Sequence, residues 1–266
     1  FPYTTLFRSW TAEMSGHESL SAAESPVSEV LRALSGLTAD DIRPPKHKFA
    51  KSCSDDNRVE VKLENGGEIT VFPGETVSPA KDENDGKTLQ ALMVDSHKTV
   101  FLVDRKKVEK LFPEFTALLS RKIVDIVPKT VSSVAMKGRG DVKRLRRNKD
   151  GWTAVLKDGT ERQADPEKIK TYLRIFSGMQ GDSVSLDKSL VKGKTESTIS
   201  ISMKNGKTSV LHLFSAKEPE GDCYVQPASS PCLYSTDKAT CDRLFPSPDS
   251  LFSTATGKES KKEKDE

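Results

Sequence analysis

The residues whose types and spacing could do chemistry are concentrated in a stretch of cations between positions 137 and 149. Seven of these thirteen residues are lysine or arginine, and Asp141 is the only acid among them. Clustered cations raise the local potential and bind the phosphate groups of lipid or nucleic acid, or an acidic partner. The candidate binding residues for such an anionic surface are Lys143, Arg144, Arg146 and Arg147.

The alternative interpretation of this stretch is structural. Lysines and arginines on a solvated edge strand block its pairing with another strand. Aromatic residues, which stack on the bases of single-stranded nucleic acid, are absent between positions 137 and 149. An anionic membrane surface is therefore a better candidate partner for these cations than nucleic acid. Arg139-Gly140-Asp141 is an adhesion-like tripeptide, but Gly and Asp are also ordinary turn residues.

No other motif makes a complete catalytic or metal site. His17-Glu18 begins like the helix of a zinc protease, but Ser21 stands where the second histidine is required. The four histidines are well separated along the chain: His17, His47, His97 and His212. We therefore predict no catalytic residue, no metal ligand and no cofactor, and we leave a small-molecule partner open.

The cysteines favour a structural role. They are Cys53, Cys223, Cys232 and Cys241, and the last three are spaced by nine residues, which fits no zinc or haem pattern. Structural thiols are one possibility. The other is a disulfide between Cys223 and Cys232, which flank a short loop, in an oxidising compartment.

A segment that starts with Trp-Thr-Ala and continues into a helix occurs twice in the chain, and it must position the basic residues and the cysteines. Trp10-Thr11-Ala12 matches Trp152-Thr153-Ala154 at an offset of 142 residues. In the second copy, Asp165 and Pro166 predict a helix start, and Gly178 predicts a left-handed end. Its apolar residues are spaced as one helical face: Ile169, Tyr172, Leu173, Phe176 and Met179. The first copy has apolar residues at the same offset: Val27, Val30, Leu31, Leu34 and Leu37.

One difference matters for this comparison. Ser25-Pro26 predicts that the first helix starts about two residues later than the second. We nevertheless expect Leu31 and Leu173 to lie in like surroundings, with the same face of each helix packed on its own sheet.

Alternating apolar residues predict strands around these helices. Asn65-Gly66-Gly67 predicts a three-residue turn that places Val61 opposite Val71. Asn205-Gly206 predicts a second hairpin of ambiguous register. Asp104 and Asp237 each predict the start of a short helix. The other predicted strands cover residues 89–94, 99–103, 123–127, 131–136, 142–147, 223–225 and 232–234.

The predicted fold class is α+β. We expect two homologous repeats, each a twisted, mostly antiparallel sheet with one main helix and one short helix. Residues 1–9 resemble a translated sequencing adapter and are treated as an artefactual leader. Residues 10–120 form the first repeat, truncated at its N-terminus, and residues 121–252 the second. Residues 253–266 form a disordered charged tail.

This pattern resembles the bacterial tandem-repeat family named domain of unknown function 4340. The matching residues are Gly151-Trp152, Ala164-Asp165, Ile169 to Phe176, Val59 to Phe72, Thr99 to Val103 and Val108 to Phe112. The chain departs from the pattern at Ala22-Ala23, which stands where the second repeat has Ala164-Asp165. The resemblance implies an extracytoplasmic protein, tethered by one N-terminal membrane helix and associated with transporter or motility components. It carries over no catalytic residue.

Three functions follow as hypotheses. The first is a non-enzymatic interaction or structural module of the cell envelope, with a protein partner there and an anchor upstream of Trp10. The second is a soluble basic-surface protein that binds nucleic acid or an acidic partner, with the cytoplasm as the alternative location. The third is an enzyme with a site between the repeats. The net charge of +3 is too small to indicate nucleic acid by itself.

Overall fold

The computed structural model describes residues 10–13, 19–44, 53, 58–62, 65–77, 87–94, 99–217 and 223–252. The predicted leader, the predicted charged tail and three of the histidines, His17, His47 and His97, lie outside the described residues. The chain forms two compact units, which we call unit 1 (Phe1–Leu119) and unit 2 (Ser120–Glu266).

Among the residues of unit 1 that the structure describes, there are one main helix and two short ones. Its strands are β1 (Trp10–Ala12), β2 (Leu20–Ala22), β3 (Asp41–Arg43), β4 (Val59–Lys62), β5 (Glu68–Val77), β6 (Leu89–Val94) and β7 (Val100–Asp104). Its helices are α1 (Glu24–Ser35), α2 (Arg105–Glu109) and α3 (Phe115–Leu118).

The strands of unit 1 form two antiparallel sheets. β1 pairs with β2, and the other five strands follow the order β3-β7-β6-β5-β4. Leu34 and Leu37, at the C-terminal end of α1, pack against a buried cluster on the five-stranded sheet. This cluster consists of Val71, Leu92, Val103 and Val108. Three of these residues lie on β5, β6 and β7 and Val108 lies on α2, so α1 and α2 both pack on this face of the sheet.

Unit 2 contains a single larger sheet. Its strands are β8 (Val131–Lys137), β9 (Val142–Asn148), β10 (Gly151–Leu156), β11 (Glu161–Ala164), β12 (Ser183–Ser185), β13 (Ser197–Met203), β14 (Thr208–Ser215), β15 (Cys223–Pro227) and β16 (Leu233–Thr236). Its α-helices are α4 (Pro166–Ser177) and α5 (Lys238–Arg243). The antiparallel strand order is β11-β10-β9-β8-β13-β14-β15-β16-β12.

The α+β class with mostly antiparallel sheets is therefore confirmed. The prediction of one sheet and two helices per unit is wrong for unit 1, which has a separate two-stranded sheet and the extra helix α3. Five strands follow the same order in both units. The order is β4-β5-β6-β7-β3 in unit 1 and β13-β14-β15-β16-β12 in unit 2. Trp10 faces Ala22 across one hairpin, and Trp152 faces Ala164 across the other.

Helix α4 forms where its capping residues predict it. The Asp165 Oδ1 atom accepts hydrogen bonds from the amides of Glu167 (2.9 Å) and Lys168 (3.3 Å), and Pro166 is the first helical residue. The predicted left-handed end is wrong, because Gly178 has φ −109° and its amide still donates to Arg174 O. All five residues of the predicted face are buried: Ile169, Tyr172, Leu173, Phe176 and Met179.

Helix α1 differs from its prediction in two respects. It begins at Glu24, so the later start predicted from Ser25-Pro26 is wrong. Pro26 occupies the third helical position, where the missing N–H would have no partner within the helix. The expectation of like surroundings is also wrong, because 40% of Leu31 is exposed and only 3% of Leu173.

Helix α4 also packs beside the segment that precedes β8. In unit 2 the turn Pro128–Thr130 contacts α4, and the Ile123 amide donates to Met179 O just beyond the helix. The part of unit 1 that the structure describes contains no counterpart of this segment. The strand predicted for residues 123–127 is also wrong, because this stretch is irregular and has no sheet pairing. It buries Ile123, Val124 and Ile126 and leaves Val127 exposed.

The first predicted hairpin forms with a shifted register. Val61 lies opposite Ile69 and Val59 opposite Val71, so the predicted pair of Val61 and Val71 is wrong by two residues. A shift of two keeps every side chain on its predicted face, because the side-chain period of a strand is two. In the second hairpin the ambiguous register is resolved with Ile199 opposite Leu211. Within the described residues, no helix is long and apolar enough to cross a membrane.

Candidate functional site

An open cavity of unit 1 lies beside its main helix. This cavity, groove 1, lies between α1 and the segment that carries α2 and α3, and has a volume of about 620 Å³. Val30 and Ala33 in its lining are half-buried, whereas Glu29, Arg32 and Lys110 are exposed. The other lining residues are Pro26, Pro113 and Ala117. Groove 1 thus has an apolar centre and a charged rim.

A second groove occupies the matching place in unit 2. Groove 2 lies between α4 and the segment that begins with α5, and has a volume of about 430 Å³. Its helical residues Tyr172 and Ile175 stand 142 positions after Val30 and Ala33 of groove 1. On the other wall, Pro246 stands 133 positions after Pro113. Each unit therefore builds a groove from equivalent positions of its own main helix and of the chain after its short helix.

Tyr172 explains why groove 2 is smaller. Its hydroxyl donates a hydrogen bond to Leu244 O at 2.9 Å, and its ring meets Phe176 edge-on at 5.3 Å between centroids. Complete burial raises the pKa of Tyr172 above its ordinary value of 10.0, so the phenol keeps its proton and acts as a donor. Val30 at the matching place in groove 1 has a shorter side chain and no hydroxyl.

In each unit, one backbone hydrogen bond joins the start of the main helix to the stretch of chain that follows the short helix. The Ala23 amide donates to Leu118 O at 2.8 Å, and the Asp165 amide donates to Leu251 O at 2.9 Å. In unit 2 the Arg162 guanidinium also lies over the Phe252 ring, 3.9 Å from its centroid. These contacts hold the two walls of each groove at a set spacing.

The predicted basic residues lie on the β8–β9 hairpin. The interpretation as an edge-blocking strand is wrong, because β9 pairs with β8 on one side and with β10 on the other. Arg144 and Arg146 project from one face of the sheet, and Arg147, which lies opposite Trp152, projects from the other. The four candidate binding residues therefore do not form one continuous patch.

Two of these four cations already have protein partners. The Arg146 guanidinium pairs with Glu161 at 2.6 Å. The Arg147 guanidinium lies 5.6 Å from the Trp152 ring centroid and donates to Lys129 O. Lys143 and Arg144 are exposed and form no ion pair with any residue that the structure describes. Both can therefore meet an anionic surface without breaking an ion pair.

Arg139 of the adhesion-like tripeptide has a structural role within unit 2. Its guanidinium contacts Glu196 at 2.5 Å and Asp242 at 3.6 Å. The Ser215 hydroxyl also donates to the Glu196 carboxylate. These hydrogen bonds, from Ser215 first and then from Arg139, lower the pKa of Glu196. The cluster ties the β8–β9 turn to β13 and α5.

His212 is the one histidine within the described residues. It is half-buried on β14, between Thr198 and Gln226 on the neighbouring strands. In the part of the chain that the structure describes, no group of three or more His, Cys, Asp or Glu residues is arranged to hold a metal ion.

Comparison with known protein families matches residues 10–199 to a family described as Domain of unknown function (DUF4340). The match covers more than half of the chain. The chain belongs to this family. No curated protein and no solved structure matches it.

The DUF4340 match ends at the third residue of β13, and the cysteine bridge of this chain lies beyond it. Cys223 is bonded to Cys241, with the two Cα atoms 6.4 Å apart. The expectation of structural thiols is therefore wrong for these two cysteines, and so is the alternative pair of Cys223 and Cys232. The strand register gives the reason, because Cys223 lies opposite Thr236 and Cys232 precedes β16 at the other end of the pairing. Cys232 is buried and keeps its thiol.

Sequence reasoning missed the grooves of this DUF4340 chain, although it held a signal for them. Leu111-Phe112-Pro113 and Leu244-Phe245-Pro246 recur at one offset, and the proline of each forms part of a groove wall. The apolar stripes of the helices indicated their packing face, but a groove also needs the opposite wall. Its distance from the helix is set by contacts between residues far apart in sequence.

Proposed function

We propose that this DUF4340 chain is a non-enzymatic interaction module of the cell envelope that binds a protein partner through groove 1. The observation that carries the proposal is the lining of groove 1, where Val30 and Ala33 lie between exposed Glu29, Arg32 and Lys110. Protein interfaces have this arrangement, with a desolvated apolar centre and a polar rim. A subunit of a membrane transporter or motility complex is the partner class that the family resemblance implies.

The disulfide supports the extracytoplasmic placement in this proposal. Disulfides form and persist in oxidising compartments and are rare where glutathione and thioredoxin keep thiols reduced. Cys223 and Cys241 are both buried, and their bridge joins β15 to α5. A membrane anchor upstream of Trp10 stays a prediction, as does an enzyme site between the repeats.

Site-specific photo-cross-linking in the native host tests the proposal. A photoreactive benzoylphenylalanine at Ala33, inside groove 1, should give one cross-linked adduct of reproducible mass in the envelope fraction. The matched control carries the same group at Asp158, an exposed residue of the β10–β11 turn. Equal labelling at the two positions, or no adduct at Ala33, overturns the proposed role of groove 1.

A second function has a specific observation in its favour. Lys143 and Arg144 are exposed and form no ion pair within the described residues, so they can attract phosphate groups of an anionic membrane. Double charge reversal at Lys143 and Arg144 should abolish co-sedimentation with anionic liposomes at low salt. Charge reversal of Lys157 and Lys170 is the control for net charge. Filter binding with a salt titration examines nucleic acid as the other outcome.

A further inference from the structure

The two units of this chain carry net charges of opposite sign. Unit 1 contains 15 lysines and arginines and 19 acidic residues, which gives a net charge of −4. Unit 2 contains 27 lysines and arginines and 20 acidic residues, which gives a net charge of +7. The small net charge of the whole chain is therefore the sum of an acidic unit and a basic one. A basic unit attracts polyanions even when the chain as a whole is nearly neutral.

Both α-helices of unit 2 lie on the same face of its nine-stranded sheet. The Tyr172 hydroxyl of α4 lies 3.5 Å from the Met136 sulfur on β8, and Cys241 of α5 is bonded to Cys223 on β15. The strand register from β8 to β15 places Met136 and Cys223 on one face, because side chains alternate along each strand. We call the opposite face the rear face. Between β9 and β13 its residues are Ser133, Ala135, Lys137, Arg144, Arg146, Thr198, Ser200 and Ser202.

The rear face is basic and carries many hydroxyl groups. Lys137 and Arg144 are exposed and form no ion pair with any residue that the structure describes. Arg146 is also exposed and pairs with Glu161, which is the only acid among the described strand residues of this face. The serines and the threonine of β8 and β13 are half-buried, and their hydroxyls can donate to phosphate oxygens. The rear face therefore combines an excess of positive charge with hydrogen-bond donors.

The composition of the rear face favours lipid headgroups over other polyanions. Its described residues between β9 and β13 include no aromatic side chain that could stack on the bases of a nucleic acid. Ala135 is their only apolar residue, and it is half-buried, so this surface has no side chain suited to insertion among acyl chains. Contact with a bilayer is therefore limited to the headgroups and depends on charge, which salt screens.

We propose that unit 2 lies on an anionic lipid bilayer through its rear face, with α4 and α5 on the side away from the membrane. The cations Lys137, Arg144 and Arg146 contact the headgroup phosphates, and the hydroxyls of β8 and β13 donate to the phosphate oxygens. The positive net charge of unit 2 attracts it to such a surface as a whole. This inference rests on the second proposed function, binding to an anionic membrane, and assigns that function to one face of the sheet.

The test uses the full 266-residue chain and vesicles of phosphatidylglycerol and phosphatidylcholine at low salt. Lys137→Ala with Arg144→Ala should lower the partition coefficient about thirtyfold, because one cation near an anionic surface contributes about a factor of five. The matched control, Lys170→Ala with Lys238→Ala, removes the same charge from exposed positions of α4 and α5. It should change the partition coefficient less than about twofold.

A second pair of variants leaves every cation in place. Thr198→Asp adds an acid to the rear face, opposite Lys137, and should weaken vesicle binding. Thr171→Asp adds the same acid at an exposed position of α4 and should leave binding unchanged. Thermal melts of all four variants check that unit 2 stays folded.

The outcomes separate this inference from the function on which it rests. Wild-type binding that the rear-face and helix-side variants reduce equally, or that neither reduces, overturns the inference alone. A wild-type chain that does not bind the vesicles removes the second proposed function as well. Binding of polygalacturonate or single-stranded DNA through the rear face, without vesicle binding, identifies a different polyanion and also overturns the inference.

Discussion

Leu31 and Leu173 occupy the same position on two helices of equal length, yet one is exposed and the other is buried. α1 spans Glu24–Ser35 and α4 spans Pro166–Ser177, so the two leucines are both the eighth residue of their helix. The exposed fraction is 40% for Leu31 and 3% for Leu173. In unit 2 the turn Pro128–Thr130 contacts α4.

Truncating these two leucines should have unequal effects. Leu173→Ala leaves a cavity in a packed core and should lower the free energy of unfolding by about 2–5 kcal/mol. Leu31→Ala should lower it by about 1 kcal/mol or less, because much of that side chain is already in water. Urea titration followed by tryptophan fluorescence measures both. Trp10→Phe isolates the signal of unit 2, and Trp152→Phe isolates that of unit 1. Equal losses at the two positions contradict the prediction.

Reduction should destabilise unit 2 through its single bridge between Cys223 and Cys241. The bridge joins residues 18 apart, and restricting a loop of this size in the unfolded chain is worth about 3 kcal/mol. A reductant should therefore lower the melting temperature of the wild type and of Cys232→Ala alike. The double variant Cys223→Ala, Cys241→Ala should melt at one temperature with or without reductant. Non-reducing peptide mapping that links Cys223 to Cys232 contradicts this pairing.

The hydroxyl of Tyr172 should contribute to the stability of unit 2. Tyr172→Phe removes the donor to Leu244 O and leaves a buried carbonyl without it, at a cost of about 1–3 kcal/mol. Urea denaturation measures this loss. The reciprocal change, Val30→Tyr, should fill groove 1 and place a phenol near Leu111, the counterpart of Leu244. It should reduce the cross-link at Ala33 without lowering stability. If Tyr172→Phe is as stable as the wild type, the hydrogen bond to Leu244 O makes no net contribution to the free energy of unfolding, and the prediction is wrong.

Acid should weaken unit 2 through Glu196. Hydrogen bonds from Ser215 and Arg139 lower the pKa of Glu196 below its ordinary value of 4.5. A carboxyl whose folded pKa is lowered adds stability above its unfolded pKa, and this stability is lost as the pH falls through the folded pKa. Glu196→Gln should therefore be less stable than the wild type near neutral pH, and the gap should close in acid. Urea titrations across this range measure it.

The matched control for the acid prediction is Glu114→Gln, since the Glu114 carboxylate makes no capping hydrogen bond. The difference between this variant and the wild type should stay small across the pH range. A gap for Glu196→Gln that widens in acid has the opposite sign to the prediction and contradicts it.

Much of the secondary structure could be predicted from the sequence, because helix caps and apolar periodicity are local signals. Asp165 and Pro166 predicted the start of α4, and Asp104 and Asp237 predicted the starts of α2 and α5. Each of these signals acts within one helical turn. The register of the first hairpin was wrong by two residues, because alternation alone cannot distinguish registers that keep the same faces.

The candidate site was less predictable than the elements that form it. The cations of β9 were visible in the sequence, but their division between two faces depends on pairing with β10. Arg146 and Arg147 face different neighbours, Glu161 and Trp152, which only the strand register brings close. The disulfide was mispaired for the same reason, since Cys241 reaches Cys223 only when α5 packs beside β15.

By itself the amino-acid sequence determined the two main helices and their apolar faces, most of the strands, and the family. Caps and periodicity act over a few residues, so these features could be read locally. The tertiary structure alone decided the partner of Cys223, the interior position of β9, the two grooves and the exposure of Leu31. Each of these depends on segments tens of residues apart packing together. Periodicity shows which face of a helix or strand is apolar, but only the tertiary structure shows whether another segment covers that face.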